Sequence, residues 1–179
     1  MSRAIYWFRN IRTKQVLATM QKSVLANPRL IKGQIPTSQL PSTIRPDHWT
    51  PFVVAHGFDS QRSLMDTFTL ATQPGHPLKP LTKQELAEYK LLPNKEKRNR
   101  EMDMQERQVA QLARTLVYLD QTKSKAVPSS NNIRLLWEDD VWVNKVEEAG
   151  LEWPKWVEHG ELEVLRGNII QNQELRNVE

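Results

Sequence analysis

Three short apolar runs along the chain predict the strands of a sheet. Ile5-Tyr6-Trp7-Phe8 are four consecutive large residues of high strand propensity, and we expect them to be buried. Phe52 to Ala55 follows a proline and precedes Gly57, which is typical of an interior strand. Ile133 to Trp137 has the same short apolar character. The pattern predicts three strands without determining their order.

Helical spacing of apolar residues follows the second run. A cap at Asp59 or Ser60 opens a predicted helix that Pro74-Gly75 ends, and its apolar face repeats at three- and four-residue intervals. The residues of this face are Leu64, Met65, Phe68 and Ala71. This helix and the strand before it are the best-defined unit of the N-terminal half.

Two further helices are predicted in the middle of the chain. Thr82-Lys83-Gln84-Glu85 fits a capping box, in which the Thr hydroxyl and the Glu carboxylate satisfy backbone donors, and Pro93 ends that helix. A longer helix is predicted from Asn94 to about Asp120, polar in its first two turns and amphipathic afterwards. Its core positions are Val109, Leu112, Ala113, Leu116 and Leu119.

The C-terminal part of the chain, residues 133–179, is acidic and rich in tryptophan. A helix from about Val141 to Ala149, ended by Gly150, follows the third predicted strand, and a final element runs from Glu161 towards Ile170. Four of the six tryptophans lie in this part. We therefore expect it to pack against the sheet or another protein rather than against RNA.

Together these elements predict an α+β fold in a single domain, residues 1–179. A small mixed sheet is expected to be covered by the helix at Ser60 and by the long middle helix. With 179 residues and 39 % hydrophobic content, the chain can build one modest core. Residues 14–26 have two interpretations, because they fit helical spacing while Gln15 to Ala18 fits a hairpin partner of the first strand.

Residues 27–51 form a predicted extended, proline-rich arm. Prolines at positions 28, 36, 41 and 46, with Pro51 at the end, exclude a helix. The arm is basic and has no acid before Asp47. Two interpretations stay open: a segment ordered along a folded RNA or a groove of an assembly, and a free linker.

Charge is distributed unevenly, although the formal net charge is only +4. The first 46 residues contain eight Lys or Arg and no acid, whereas the last 49 contain five basic and eleven acidic residues. This asymmetry favours nucleic acid as the partner of the N-terminal region. The candidate RNA-binding residues are Arg3, Arg9, Arg12, Lys14, Lys22, Arg29, Lys32 and Arg45, together with Lys95, Lys97, Arg98 and Arg100 in the polar turns of the long helix. For the last four, the alternative is a solvated, ion-paired helix.

Side chains suited to catalysis or metal binding form no convincing site in the sequence. The chain has no cysteine, and its four histidines lack the usual metal-ligand spacing. Glu138-Asp139-Asp140 suggests a magnesium-dependent nuclease, but consecutive carboxylates rarely point at one centre and no second ligand motif is present. A phosphate-cradling glycine motif and a nucleophile elbow are also missing. We therefore expect no enzyme, no cofactor and no metal.

The N-terminal sequence bears on where the protein acts. No run approaches the roughly 20 apolar residues of a membrane-spanning helix, and no secretory signal peptide is evident. A basic, acid-free N-terminus is similar to a mitochondrial import sequence. The alternative is a basic arm that stays in the mature protein, which the strand-like run Ile5 to Phe8 favours.

Several motifs occur in an order and spacing that resemble one known family. They are Ile5-Tyr6-Trp7-Phe8-Arg9-Asn10 followed by Gln15-Val16-Leu17, the tryptophan that opens Trp49 to Ala55, Trp137-Glu138-Asp139 with Trp142, and Gly167-Asn168-Ile169. In that order they resemble a fungal mitochondrial protein described both as a large-ribosomal-subunit component and as a homologous-recombination factor. The resemblance spans most of the chain, and the chain departs from it around Lys14 to Pro46 and in the middle helices.

The resemblance implies a mitochondrial matrix protein of the large ribosomal subunit, in contact with ribosomal RNA and neighbouring mitochondrial ribosomal proteins. It also implies a second role in homologous DNA pairing and transcription regulation, and it supplies no catalytic residue. Our first hypothesis is a structural ribosomal protein. The competing hypothesis is a DNA factor acting off the ribosome, in which Trp7 and Phe8 stack on bases unless they pack in the core.

Overall fold

The computed structural model describes residues 3–23, 33–40, 45–122 and 133–176. The strands are β1 (Ala4–Asn10), β2 (Val16–Thr19), β3 (Trp49–His56), β4 (Ile133–Trp137), β5 (Val157–Glu161), β6 (Val164–Leu165) and β7 (Ile169–Ile170). The helices are α1 (Gln61–Ala71), α2 (Lys83–Leu91), α3 (Asn94–Met102), α4 (Gln105–Gln121) and α5 (Val141–Glu148). Short 3-10 helices span Thr37–Gln39, Pro46–His48 and Gln173–Leu175.

The five longer strands form one mixed sheet in the order β2-β1-β3-β4-β5. β1 pairs antiparallel with β2 and β3, β3 pairs antiparallel with β4, and β4 pairs parallel with β5. Helix α5 makes the crossover between the parallel strands, because such a pair cannot be joined by a tight hairpin. β6 and β7 form a separate antiparallel ribbon. The predicted α+β fold with a mixed sheet is confirmed.

Both faces of the sheet are covered, which explains why β1 is apolar at consecutive rather than alternate positions. On one face, Ile5 and Trp7 belong to a core that α1, α4 and α5 close. On the other face, Tyr6 and Phe8 belong to a second core with residues from the segment 33–40 and from the chain after β5. These residues are Ile35, Leu40, Leu162 and Leu175.

Two helix starts follow the predicted capping chemistry. The Ser60 hydroxyl accepts a hydrogen bond from the Ser63 amide at 3.1 Å and caps α1. At the start of α2, the Thr82 hydroxyl accepts from the Glu85 amide at 3.2 Å, and the Glu85 carboxylate accepts from the Thr82 amide at 2.7 Å. The predicted capping box is therefore confirmed.

The prediction of one long helix from Asn94 to Asp120 is wrong, because the chain breaks it into α3 and α4. Asp103 has extended backbone, with φ −69° and ψ 106°. The Met104 amide donates to the Lys14 carbonyl at 3.0 Å. A contact with the turn between β1 and β2 therefore takes an amide that a continuous helix would bond internally.

Two other predictions need correction. Residues 16–19 form β2, so the hairpin interpretation is correct and the helical one is wrong there, while positions 24–26 lie outside the described residues. The final element predicted from Glu161 to Ile170 consists instead of the end of β5 and the β6–β7 ribbon. The apolar pattern does not predict β5, because Val157 is the only buried residue of this strand. β5 lies at the edge of the sheet, where few side chains are covered.

The described part of the proline-rich arm packs on the sheet. The Gln34 carboxamide accepts from the Ala18 amide at 2.9 Å and donates to the Ala18 carbonyl at 2.6 Å, so it covers the outer edge of β2. Ile35 is buried in the second core. Residues 33–40 are thus held by the protein's own sheet rather than extended from it. Residues 27–32 and 41–44 lie outside the described residues.

Candidate nucleic-acid interface

Asn10 holds the turn between β1 and β2 in one conformation. Its Oδ1 accepts hydrogen bonds from the amides of Arg12 and Thr13 at 2.9 and 3.1 Å. Its backbone bonds the Lys14 amide at 2.9 Å and the Gln15 carbonyl at 2.8 Å. Lys14 has φ +59°, a left-handed conformation that Asx-type turns accommodate. The turn therefore presents the exposed side chains of Arg12 and Lys14 on a fixed backbone.

Three other segments pack around this turn. The Ile11 amide donates to the His48 carbonyl at 2.9 Å, and the buried Gln15 carboxamide donates to the Gln39 carbonyl at 3.0 Å. The junction of α3 and α4 contacts the turn through the Met104 amide. The segments 37–40 and 45–48 and the start of α4 therefore meet at one end of the sheet.

These contacts gather cations from distant parts of the sequence. Arg45 joins the group because its carbonyl accepts from the His48 amide at 3.1 Å. Arg98 of α3 donates through Nη2 to the Ser38 carbonyl at 3.1 Å, and Lys95 lies on the same face one helical turn earlier. We call this set the basic end. It consists of Arg12, Lys14, Arg45, Lys95 and Arg98.

Two carboxylates neutralise part of the positive charge of the basic end. Lys14 Nζ lies 3.4 Å from Asp103, and Arg45 bonds both oxygens of Asp47 at 3.2 and 2.9 Å. The Arg45 hydrogen bonds are the main cause that lowers the pKa of Asp47. The Arg45–Asp47 pair is largely exposed to solvent and the Lys14–Asp103 pair is partly exposed, and such pairs are weak and screened by salt. A phosphate can therefore replace either carboxylate as the partner of these cations.

Arg9, a candidate RNA-binding residue, forms an ion pair within the protein. Its guanidinium donates from Nε and Nη2 to the two oxygens of Glu138 at 2.6 and 2.7 Å. This hydrogen-bonded pair is the main cause that raises the pKa of Arg9. The pair is less than one-third exposed, so Arg9 joins the end of β1 to the end of β4. Two of its five N–H donors are bonded to Glu138.

The remaining predicted cations fall outside the basic end. Arg3 lies at the opposite end of β1, roughly 20 Å away at about 3.3 Å per residue, and Lys22 lies beyond the far end of β2. Lys97 donates to the Lys90 carbonyl at 2.8 Å and so joins α3 to α2. Arg100 is exposed elsewhere on α3. Arg29 and Lys32 lie outside the described residues.

The aromatic side chains near the basic end are buried. Trp7 is 0 % exposed, and Phe8 and Trp49 are 2 % exposed. The core-packing alternative for Trp7 and Phe8 is therefore correct, and stacking of these two rings on bases would require the sheet to open. Charge and hydrogen bonding are what the basic end offers to a polynucleotide.

The charge pattern missed the polar residues that build this site. Asn10 shapes the turn, Gln15 fixes the segment 37–40, and Ser38 positions Arg98 through its carbonyl. Asn10 had a local signal, because an Asn after a strand and before Thr13 and Lys14 is typical of an Asx turn. Gln15 and Ser38 had no such signal, since their partners are remote in sequence.

No group of three His, Cys, Asp or Glu among residues 3–23, 33–40, 45–122 and 133–176 is placed to hold a metal ion. None of the helices that the structure describes is long and apolar enough to cross a membrane. The cations of the basic end are suited to contact phosphate oxygens.

The chain was compared with protein-family models and with curated proteins. No protein-family model matches the chain, and no curated protein matches it significantly. The case for a function therefore depends on the basic end and on the motifs that suggested a family.

Proposed function

We propose that this protein is a structural component of the mitochondrial large ribosomal subunit, located in the matrix, and that it binds ribosomal RNA through its basic N-terminal region. The observation that carries the proposal is the basic end, where hydrogen bonds between distant segments bring their cations to one end of the sheet. The motif resemblance supports the ribosomal assignment and neighbouring ribosomal proteins as further partners.

The geometry favours contact with phosphates in a fixed arrangement. The Asn10 turn, the segment 45–48 and α3 are joined through main-chain carbonyl groups, so their relative positions do not depend on the RNA. Because the backbone is already in place, binding orders side chains and not main chain. Contacts of this kind set the orientation of a protein on RNA and carry little sequence information.

The same geometry predicts a strong dependence on salt. Each phosphate that a cation neutralises adds about 0.7 to 0.9 to the slope of log affinity against log salt concentration. Five contacts at the basic end therefore correspond to a slope of roughly 3.5 to 4.5. Asp47 and Asp103 lower this value if they keep their partners in the complex.

A titration of the purified protein with a labelled ribosomal RNA fragment at several salt concentrations tests the proposal. We expect Arg12→Gln and Arg98→Gln each to weaken binding and to lower the slope by about 0.7 to 0.9. Arg62→Gln is the matched control, because Arg62 is 80 % exposed on α1 and outside the basic end. If the control weakens binding as much as the other two variants, the basic end is not the interface.

The competing function, a DNA-pairing or transcription-regulating factor, uses the same cations. It was expected to add stacking by Trp7 and Phe8, and both rings lie in the core. A parallel titration with single-stranded DNA of equal length separates the two functions. Tighter binding of DNA than of the RNA fragment at the same salt concentration would favour the DNA factor.

A further inference from the structure

A groove of about 1040 Å³ lies at the carboxyl ends of β4 and β5. Residues 137–145, from the end of β4 into α5, form one wall, and residues 159–161 of β5 form another. Arg9 and Gln105 close the side nearest the basic end. Crevices at the carboxyl ends of parallel strands are common ligand sites. The chemistry of the walls indicates which ligand fits this one.

Negative charge exceeds positive charge in the groove. Its lining includes four carboxylates and two cations, and one of the carboxylates is already neutralised by Arg9 through Glu138. Asp140 and Glu161 are both exposed at the rim. An excess of carboxylates repels phosphate and attracts cationic groups. The groove therefore differs in chemistry from the basic end beside it.

Trp142 gives the groove an aromatic wall that already contacts a cation. Lys145 Nζ lies 4.5 Å from the centroid of the half-buried Trp142 ring, which also packs against Phe52 in a T-shaped contact with a centroid distance of 5.7 Å. Guanidinium groups stack on aromatic faces in the same way, with a better planar match than an ammonium. The bidentate contact of Arg9 with Glu138 shows that guanidinium also fits the carboxylates of this wall.

His159 lines the groove beside these groups. Trp137 donates from Nε1 to His159 Nδ1 at 3.0 Å, which places the proton of the neutral imidazole on Nε2. The Nε2 atom is buried and has no hydrogen-bond partner among the described residues. Because Nε2 is buried, a ligand in the groove cannot reach it, and recognition depends on the charged and aromatic side chains.

We propose that this groove binds an arginine-rich segment of a neighbouring protein. One guanidinium pairs with Asp140 and Glu161, and a second stacks on Trp142. Basic, extended tails are common in proteins that bind nucleic acid. The inference goes beyond the proposed function and does not depend on the RNA contacts of the basic end.

Calorimetric titration of the full chain with a synthetic peptide tests this proposal. The probe is a nine-residue peptide with arginine at alternate positions among glycine and serine. We expect saturable binding with one peptide per chain, weakened about tenfold by the double variant Asp140→Asn with Glu161→Gln. The matched control is Glu148→Gln with Glu152→Gln, which removes two exposed carboxylates outside the groove and should change affinity less than twofold.

Three results would contradict all or part of this proposal. Equal weakening by both double variants would show that the peptide responds to overall charge and not to the groove. Trp142→Leu keeps an apolar contact with Phe52 and should weaken binding about fivefold, so unchanged affinity would remove the stacking contact. An RNA hairpin that competes with the peptide and is equally sensitive to Asp140→Asn with Glu161→Gln would make RNA the occupant and overturn the proposal.

Discussion

Arg9 and Glu138 form a bidentate ion pair across the sheet, from the end of β1 to the residue that follows β4. Between them runs β3, whose Phe52 carbonyl accepts from the Glu138 amide at 3.0 Å. The pair separates two surfaces of opposite charge, the basic end and the groove beside α5. It also means that replacing Arg9 changes stability as well as charge.

Arg9→Gln should lower the free energy of unfolding by about 1 kcal/mol, because it removes a partly exposed bidentate pair. The double exchange Arg9→Glu with Glu138→Arg should recover most of that loss. Urea denaturation measures both effects as a change in midpoint at constant slope. If Arg9→Gln keeps the wild-type midpoint, the ion pair does not stabilise the sheet.

Trp7→Phe should separate the core role of Trp7 from a role in stacking. The side chain is 0 % exposed, so we expect the variant to lose about 1–3 kcal/mol of stability through imperfect packing while its affinity for RNA and single-stranded DNA stays within twofold of wild type. Denaturation and anisotropy titrations at a temperature where the variant is folded measure the two quantities. A tenfold loss of DNA affinity in the folded variant would contradict this assignment.

Asn168 and Trp49 form a second contact between remote segments. Asn168 Nδ2 donates to the Trp49 carbonyl at 2.8 Å, and Asn168 has φ +63° in the turn between β6 and β7. Asn168→Ala loses the hydrogen bond and strains the backbone, so we expect a cost of about 2 kcal/mol. Asn168→Gly loses the bond without that strain and should cost about 1 kcal/mol. Equal costs in urea denaturation would show that the left-handed backbone contributes nothing.

Stability should fall on acidification because of two half-buried histidines. Burial is the main cause that lowers the pKa of both His56 and His159 below the usual value of 6.5. The unfolded chain therefore binds protons that the folded chain does not, and stability rises with pH across this window. The contribution is complete above about pH 6.5 and is lost as the pH falls below it towards the folded pKa.

His159→Asn is the variant that tests this pH dependence, because the Asn carbonyl can still accept from Trp137 Nε1 while the titrating group is gone. We expect a smaller loss of stability between pH 7.5 and pH 5.5 than in wild type. His76→Asn is the control, since His76 is exposed. The same pH profile in wild type and His159→Asn would contradict a contribution from His159.

The strands and helices that could be predicted from the sequence are those that depend on residues close together in the chain. Apolar runs gave β1, β3 and β4, and capping residues gave the starts of α1 and α2. β5 was not predictable from apolar pattern, because an edge strand such as Val157–Glu161 needs few apolar residues. The break before α4 was not predictable either, since it depends on the Lys14 carbonyl some 90 residues away.

The sequence predicted which cations belong to the candidate interface, but it could not predict how they are arranged in space. Net charge identified Arg12, Lys14 and Arg45, but their proximity to α3 depends on hydrogen bonds between segments distant in sequence. Arg9 is the clearest example of an interaction that a count of charges along the sequence cannot reveal. Its carboxylate partner lies 129 residues away, so sequence spacing contains no sign of it.

Sedimentation of a mitochondrial lysate on a sucrose gradient tests the central claim most directly, with the protein followed by immunoblot. The protein should migrate with the large ribosomal subunit, move to the top of the gradient after ribonuclease treatment, and dissociate when Arg12→Glu and Arg98→Glu are combined at moderate salt. The Arg62→Glu variant should stay with the subunit. A wild-type peak confined to the top of the gradient and unchanged by ribonuclease would contradict the ribosomal function.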